Sequence, residues 1–386
     1  MAETRDPRIN RRMDGDLEAL RARDQFRDLA SPPGIQLSSN DYLGLSSDPR
    51  LKDAITRALE ADDRVSSTGS RLLSGNSERW EQLEQRFAEF VGTEAALYFP
   101  SGYAANIGLL SSILKDGDTV FSDSANHASV IDGIRLSRAN RVIFPHSNLD
   151  YLAESLHRTG GRGEKIIVVE SVFSMDGDRA PLRELIALCE QYGASLIADE
   201  AHAIGVEGLG GRGLVHSIRR NDHVLATVHT CGKALASMGA FVAGSRTLRD
   251  YLINHARTFI FTTALPPYCA AQIQEALSLS ITADADRDHL YELSRHLRKR
   301  MKRAGFETGR SNSQIIPLIL GSNDAAVRFA AAMNAAGFAV RAIRPPSVPA
   351  GTSRLRLSLH SKLSFAEMDA FTDTLIAVRE SEVVPE

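Results

Sequence analysis

Residues 165–202 read KIIVVESVFSMDGDRAPLRELIALCEQYGASLIADEAH. Lys165–Glu170 and Ser195–Asp199 are short and apolar throughout, with a helix-like stretch, Leu182–Tyr192, between them. Strands of this length that are apolar on both faces belong to a parallel sheet covered on both sides. The same strand–helix alternation extends outward. Further strands are predicted at Ala95–Phe99, Thr119–Ser122, Arg141–Phe144, His223–Val228 and Gly239–Ala243, with helices at Gly102–Leu114, Ala128–Arg138 and Tyr151–Arg158. The fold class is α/β, a large domain with a mostly parallel seven-stranded sheet flanked by helices.

Either side of this block the pattern changes. Upstream, helices are predicted at 13–29, at 47–62 and at Glu78–Val91, where Trp80, Leu83, Phe87, Phe90 and Val91 keep helical spacing. Downstream of Pro266-Pro267 a helical region runs over 268–304. It is followed by a strand (Gln314–Leu320), a helix (Asp324–Ala336), a strand (Ala339–Ile343), a Pro-rich turn, a strand (Arg354–Leu359) and a last helix over 365–380. This predicts an N-terminal segment (1–50), a large domain (51–267) and a smaller α+β C-terminal domain (268–386).

The 386 residues balance 45 Lys+Arg against 48 Asp+Glu, so an overall electrostatic grip on nucleic acid is not expected. With 43% apolar and 24% charged residues the chain is neither disordered nor collagen-like. Cys189, Cys231 and Cys269 are too scattered for a CxxC or a metal cluster, which predicts buried, reduced thiols and no metal. No apolar run approaches the roughly 20 residues that span a bilayer. The charged N-terminus suits neither a secretory leader nor a transit peptide, so a cytoplasmic protein without a membrane partner is expected.

Open parallel sheets bind ligands at the carboxyl ends of their strands. Here those ends carry Ser101-Gly102-Tyr103, Asp123 to His127, Ser171 to Ser174, Asp199 to His202, and His229 to Lys233. Lys233 alone reads as a surface lysine. Small and apolar neighbours (Ala234 to Ala240) would instead lower its pKa, as a Schiff-base nucleophile requires. Asp199 is either a helix cap or a partner for a cationic ring nitrogen. At about 4 Å and an effective dielectric of ~20, that pairing is worth roughly 4 kcal/mol before desolvation. It would keep a pyridine protonated as an electron sink. His127 and His202 are structural histidines or, beside an amine and a carboxylate, a stacking ring and a proton shuttle. Gly102 opens a helix whose free N–H groups suit a phosphate, and Thr230 offers a hydroxyl three residues before Lys233. GxxxxGK[ST] is not present. Arg354 and Arg356 share one strand face, as an edge-strand charge pair or as a carboxylate fork. Together these residues describe a pyridoxal 5′-phosphate site.

At this point the chain resembles the α-oxoamine synthases, pyridoxal-phosphate enzymes that join an amino acid to an acyl thioester with loss of CO2. The resemblance runs from Leu37 to Leu375, through SSNDYLGL at 38–45, TGSRLLSGN at 68–76, SGYAAN at 101–106, FSMDGD at 173–178, Asp199-Glu200-Ala201-His202 and Gly232-Lys233-Ala234. It implies the aspartate aminotransferase-like fold, type I, and a homodimer with Thr262 and Thr263 reaching the partner's phosphate. By the same resemblance, Lys233 would bond the cofactor aldehyde, His127 stack on its ring, Asp199 pair with the ring nitrogen, and His202 with Ser174 approach the ring hydroxyl. Gly102, Tyr103 and Thr230 would surround the phosphate. Asn40, Ser347 and Arg356 would face substrate carboxylates, and Arg27 the end of the acyl chain. The stretch Arg344–Arg356 looks most like members that use L-alanine and a pimeloyl thioester, carried by coenzyme A or an acyl carrier protein, in biotin synthesis. Glycine C-acyltransferases are the nearest rival and aminotransferases a more distant one. A regulator would carry a basic DNA-binding segment, which the sequence does not show.

Overall fold

A computed structural model of the chain describes residues 7–29, 31–62, 64–218 and 222–383. The chain opens with α1 (Arg8–Arg21), β1 (Ile35–Gln36), α2 (Pro49–Glu60) and α3 (Glu78–Val91). Strands and helices then alternate: β2 (Ala95–Phe99), α4 (Gly102–Ile113), β3 (Thr119–Asp123), α5 (Ala128–Leu136), β4 (Asn140–Phe144), α6 (Leu149–Arg158), β5 (Lys165–Glu170), α7 (Leu182–Tyr192) and β6 (Ala194–Asp199). Next come β7 (Val224–Thr230), β8 (Ala240–Gly244), α8 (Arg246–His255), α9 (Arg257–Ile260), α10 (Pro267–Ile281) and α11 (Asp284–Arg303). The chain closes with β9 (Ile315–Gly321), α12 (Asn323–Ala335), β10 (Phe338–Ala339), β11 (Ala342–Ile343), β12 (Ser353–Ser358) and α13 (Phe365–Val383).

The chain divides into two compact units. The larger takes Asn40–Tyr291 with His360–Lys362; the smaller takes the described residues up to Ser39, Glu292–Leu359 and the chain from Leu363. In the larger unit the sheet order is β2-β8-β7-β6-β5-β3-β4. β8 alone runs antiparallel to its neighbours, so the sheet is mostly parallel as the sequence predicts. Alternation explains why these strands are apolar on both sides. Ile166 and Val168 pack with Leu109, Leu110 and Val130 on one face, while Ile167 and Val169 pack with Leu152, Leu185 and Phe173 on the other. Each helix then returns the chain to the next strand, so the polar residues after β3, β5, β6 and β7 meet at one edge of the sheet.

In the smaller unit β12 is the central strand of an antiparallel sheet ordered β11-β12-β9. It is buried along its whole length, so Arg354 and Arg356 are not edge-strand charges. β1 pairs in parallel with β10, Ile35 opposite Phe338, which ties the N-terminal segment into this unit.

Some boundaries differ from the sequence reading. The first helix ends at Arg21 rather than near 29, because Arg344 takes the carbonyls of Asp24 and Phe26 as acceptors and Asp24 turns to φ +52. The expected strand 339–343 is two pieces, β10 pairing with β1 and β11 with β12. The division falls at 291/292 rather than 267/268. The face of α10 made by Cys269, Ala270, Ile273 and Leu277 is buried, and the helix packs on α2 and α3 in the larger unit. Residues 40–45 also join that unit, held by Ser361, which donates to the carbonyls of Tyr42 and Leu43. The three cysteines are free and buried. Among the described residues no helix is long and apolar enough to cross a membrane.

Candidate active site

The β7–β8 connection presents Lys233. Cys231 N–H donates to Gly239 O at 2.9 Å and Ser237 N–H to Cys231 O at 2.9 Å, which closes a tight loop. Gln272 on α10 donates to Ala236 O at 3.0 Å and braces it. The loop ends at Gly239 with φ +80, where a Cβ would stand 1.9 Å from the Tyr98 hydroxyl oxygen, so only glycine fits. That hydroxyl donates to Met238 O at 2.8 Å.

The Lys233 Nζ, half-buried, lies 2.8 Å from His202 Nε2. His202 Nδ1 lies 2.6 Å from the Tyr42 hydroxyl, which donates to Asn40 Oδ1 at 3.1 Å. With the tyrosine proton directed to Asn40, His202 Nδ1–H donates to Tyr42, and Nε2 accepts from the lysine ammonium. Asn40, Tyr42, His202 and Lys233 thus form a directed relay.

A second chain ties Asp199 to His127. Asn106 Nδ2 donates to Asp199 Oδ2 at 2.7 Å and to Ser129 Oγ at 2.9 Å. Having accepted there, the Ser129 hydroxyl donates to His127 Nδ1 at 2.8 Å, and the Ser129 N–H points at the same nitrogen. His127 is therefore neutral with its proton on Nε2. Burial lowers its pKa from the ordinary value; Asp199 pulls it up and Lys233 pushes it down. Ala201 N–H donates to Asp199 Oδ1 at 2.9 Å.

Glu170 closes β5 directly opposite Asp199 on β6. Burial, then the Asp199 carboxylate, lift its pKa to about 8 against Lys233 and Ser174. Ser174 N–H donates to Glu170 Oε2 at 2.9 Å. His127 and Glu170 each feel both Asp199 and Lys233, so the four groups share one electrostatic site.

Ser101 caps α4 by accepting from Ala104 N–H at 3.1 Å, leaving the first-turn N–H groups of Gly102 and Tyr103 for an anion. A Cβ on Gly102 would stand 3.6 Å from Thr230 Oγ1, so the helix start and that hydroxyl share one corner. Tyr103 sets its ring edge-on to the His127 ring, centroids 6.2 Å apart. A helix N-terminus with a hydroxyl, an open imidazole face, a buried carboxylate and a lysine amine match the phosphate, ring face, ring nitrogen and aldehyde of pyridoxal phosphate. The residues present fit that group.

Arg27, Ser347 and Arg356 lie in the smaller unit. Arg356 is 8% exposed on β12 and donates to Ser358 Oγ at 2.6 Å. Arg27 donates to Pro345 O at 3.5 Å, beside the loop that carries exposed Ser347. Arg27 and Arg344 line a cavity of about 640 Å³ with Phe26, Leu29, Val327 and Ala330. Burial and then Arg27 hold Arg344 below its ordinary pKa. Thr262 and Thr263 line a small cavity with Trp80, Tyr98 and Phe259 in the larger unit. Sequence reasoning assigned no role to Tyr42, Asn106, Ser129 or Glu170. Glu170 was findable as a carboxylate ending an apolar strand, and Asn106 as the residue one helical turn beyond Gly102.

This fold and site define a known class: the family described as aminotransferase class I and II matches residues 32–375, and the chain belongs to it. Within it, the chain is 45% identical over 346 residues to an 8-amino-7-oxononanoate synthase of Anaeromyxobacter dehalogenans, covering 89% of this chain and 86% of that protein. It is 42% identical over 381 residues to the synthase of that name from Chlorobaculum parvum, covering 94% and 97%. Among solved structures, a serine palmitoyltransferase of S. paucimobilis with a bound PLP–myriocin aldimine superposes with a TM-score of 0.89 at 28% identity, covering 98% of this chain and 100% of that one. An 8-amino-7-oxononanoate synthase from Francisella tularensis does so with 0.79 at 29%, covering 91% and 99%.

Proposed function

We propose that this protein is a pyridoxal-phosphate-dependent acyltransferase that condenses L-alanine with a pimeloyl thioester to 8-amino-7-oxononanoate, CO2 and free thiol; its 42–45% identical relatives are named as synthases of that product. A bond forms between the alanine α-carbon and the acyl carbonyl carbon. The acyl C–S bond and the bond from the α-carbon to the carboxylate break. The observation that carries the reading is the pair of hydrogen-bond chains at one sheet edge, Asn40–Tyr42–His202–Lys233 and Asp199–Asn106–Ser129–His127.

Bound pyridoxal phosphate supplies an aldehyde that captures an amine and a ring that accepts an electron pair from the α-carbon. Lys233 would bond the aldehyde, and its free amine would take the α-proton on Nζ and return it to the same carbon after CO2 has left. His202 Nε2 accepts from that ammonium and steadies it. Asp199, held by Asn106, would keep the ring nitrogen protonated. His127 would lie against the ring face and donate from Nε2 to the thioester oxygen. Gly102, Tyr103 and Thr230 would hold the phosphate, and Ser174 with His202 would approach the ring hydroxyl. Asn40, Ser347 and Arg356 take substrate carboxylates, and Arg27 the far end of the acyl chain.

We read the protein as a cytoplasmic homodimer. Exposed Leu72, Leu73 and Phe261 support this, on loops joined where Ala264 N–H donates to Gly69 O at 2.9 Å. Thr262 and Thr263 would then reach the partner's phosphate. The acyl carrier is coenzyme A or an acyl carrier protein. Turnover of alanine, glycine and serine against pimeloyl, acetyl and palmitoyl thioesters, scored for CO2 and thiol, tests the reading. Alanine with pimeloyl thioester is expected to give the highest kcat/KM; preference for serine with the palmitoyl ester would overturn it.

A further inference from the structure

We infer that His146 is a positioning residue for the reaction: its imidazolium bridges Asp123 and Asp178 and fixes the loop that carries His127 against the loop that carries Ser174. The inference rests on the placement of His127 and Ser174 in the reacting site.

The three residues come from separate segments at the carboxyl edge of the sheet. Asp123 ends β3, His146 follows β4, and Asp178 lies in the loop between β5 and α7. His146 Nδ1 is 2.9 Å from Asp123 Oδ1, and Nε2 is 2.9 Å from Asp178 Oδ2. Both carboxylates are buried, at 2% and 5% exposure. Each ring nitrogen must donate, and only the doubly protonated ring has two N–H groups. A neutral ring would turn a lone pair toward one buried carboxylate, a costly arrangement. The ring edge packs on Phe173 with centroids 4.4 Å apart, which fixes its plane.

Each carboxylate in turn holds a loop of the site. Asp123 also accepts from Ala125 N–H at 2.8 Å and Ser147 N–H at 2.9 Å, and its carbonyl accepts from Asn126 N–H at 3.2 Å. The next residue is His127, which caps α5. On the other side, the Asp178 carbonyl accepts from Phe173 N–H at 2.9 Å, and Gly177 N–H donates to Phe173 O at 2.9 Å. Ser174 sits inside that turn, against Glu170. A displacement of either carboxylate therefore moves a residue assigned to the cofactor. Burial works against the charge on His146, but Asp123 and Asp178 outweigh it and lift its pKa to about 10, so the tie persists across the neutral range.

The test uses the full-length holoenzyme. Nitrogen NMR of labelled histidines, without substrate, is expected to show both His146 nitrogens protonated at pH 8.5. A neutral ring there overturns the inference, whichever thioester the enzyme uses. His146→Gln keeps the reach but donates at one end only and sets an acceptor against the other carboxylate. It is expected to lower kcat roughly 10–100-fold with KM for alanine little changed. Adding Asp178→Asn restores a donor opposite the glutamine oxygen, and the double variant should regain most of the lost kcat. An unchanged kcat in the single variant, or no recovery in the double one, overturns the inference.

Discussion

Lys233 Nζ stands 2.8 Å from His202 Nε2, so the amine that cycles between charged and neutral forms in the proposed reaction meets a ring whose other nitrogen is fixed by Tyr42. His202→Phe removes the acceptor and keeps much of the packing. We expect kcat to fall roughly 100-fold or more, in the range of general acid–base contributions. Tyr42→Phe keeps the ring and loses the hydroxyl that fixes the tautomer, and should cost less. Steady-state kinetics with L-alanine across pH check both; equal activity of all three proteins would remove the relay from the mechanism.

Asn106 spends both amide protons on the site, one on Asp199 and one on Ser129. In Asn106→Ala the buried Asp199 carboxylate loses the donor to Oδ2 and keeps Ala201 N–H on Oδ1, at a cost of about 1–3 kcal/mol. The Ser129 proton is also released from its assigned direction. We expect a Tm lower by several degrees together with reduced cofactor occupancy, read by melting and by absorbance. A drop in Tm with full occupancy and full kcat would confine Asn106 to stability.

Glu170 predicts a pH dependence. Its pKa rises from 4.5 in the unfolded chain to about 8 in the fold, so between those values the folded protein keeps a proton that the unfolded chain has lost. Stability owed to this group therefore falls as pH rises through that window. Glu170→Gln is permanently neutral and keeps an acceptor for the Ser174 N–H. Its Tm should gain on the parent's progressively from pH 5 to pH 8. Parallel curves across that range would show that Glu170 is ionised in the fold.

Gly239 combines a positive φ with a Tyr98 contact that leaves no room for a Cβ. Gly239→Ala should destabilise by more than about 1 kcal/mol and shift the loop that aims Lys233. Denaturant unfolding and cofactor titration check this. Wild-type values in both would mean that the loop tolerates a rearrangement.

Much of this architecture was legible because its signals are local. Val168 and Val169 can face opposite layers only in a sheet covered on both sides, and the strand-end rule then points at Asp199, His202 and Lys233. Pairings between distant segments leave no local mark. Ile35 meets Phe338 across three hundred residues of chain, so β1 was invisible and β10 read as one strand with β11. Arg344 ends the first helix from the far end of the sequence. The helix α10 has apolar residues enough for either unit, and only its packing on α2 and α3 assigns it. Tyr42 was assigned no role because its partner, His202, lies 160 residues away.

The account stands on one covalent bond, and borohydride reduction followed by peptide mass mapping reads it directly. The holoenzyme should carry a single pyridoxyl group on the peptide containing Lys233, and Lys233→Ala should carry none and turn over no alanine. A pyridoxyl group on another lysine, or full turnover by Lys233→Ala, would contradict the account.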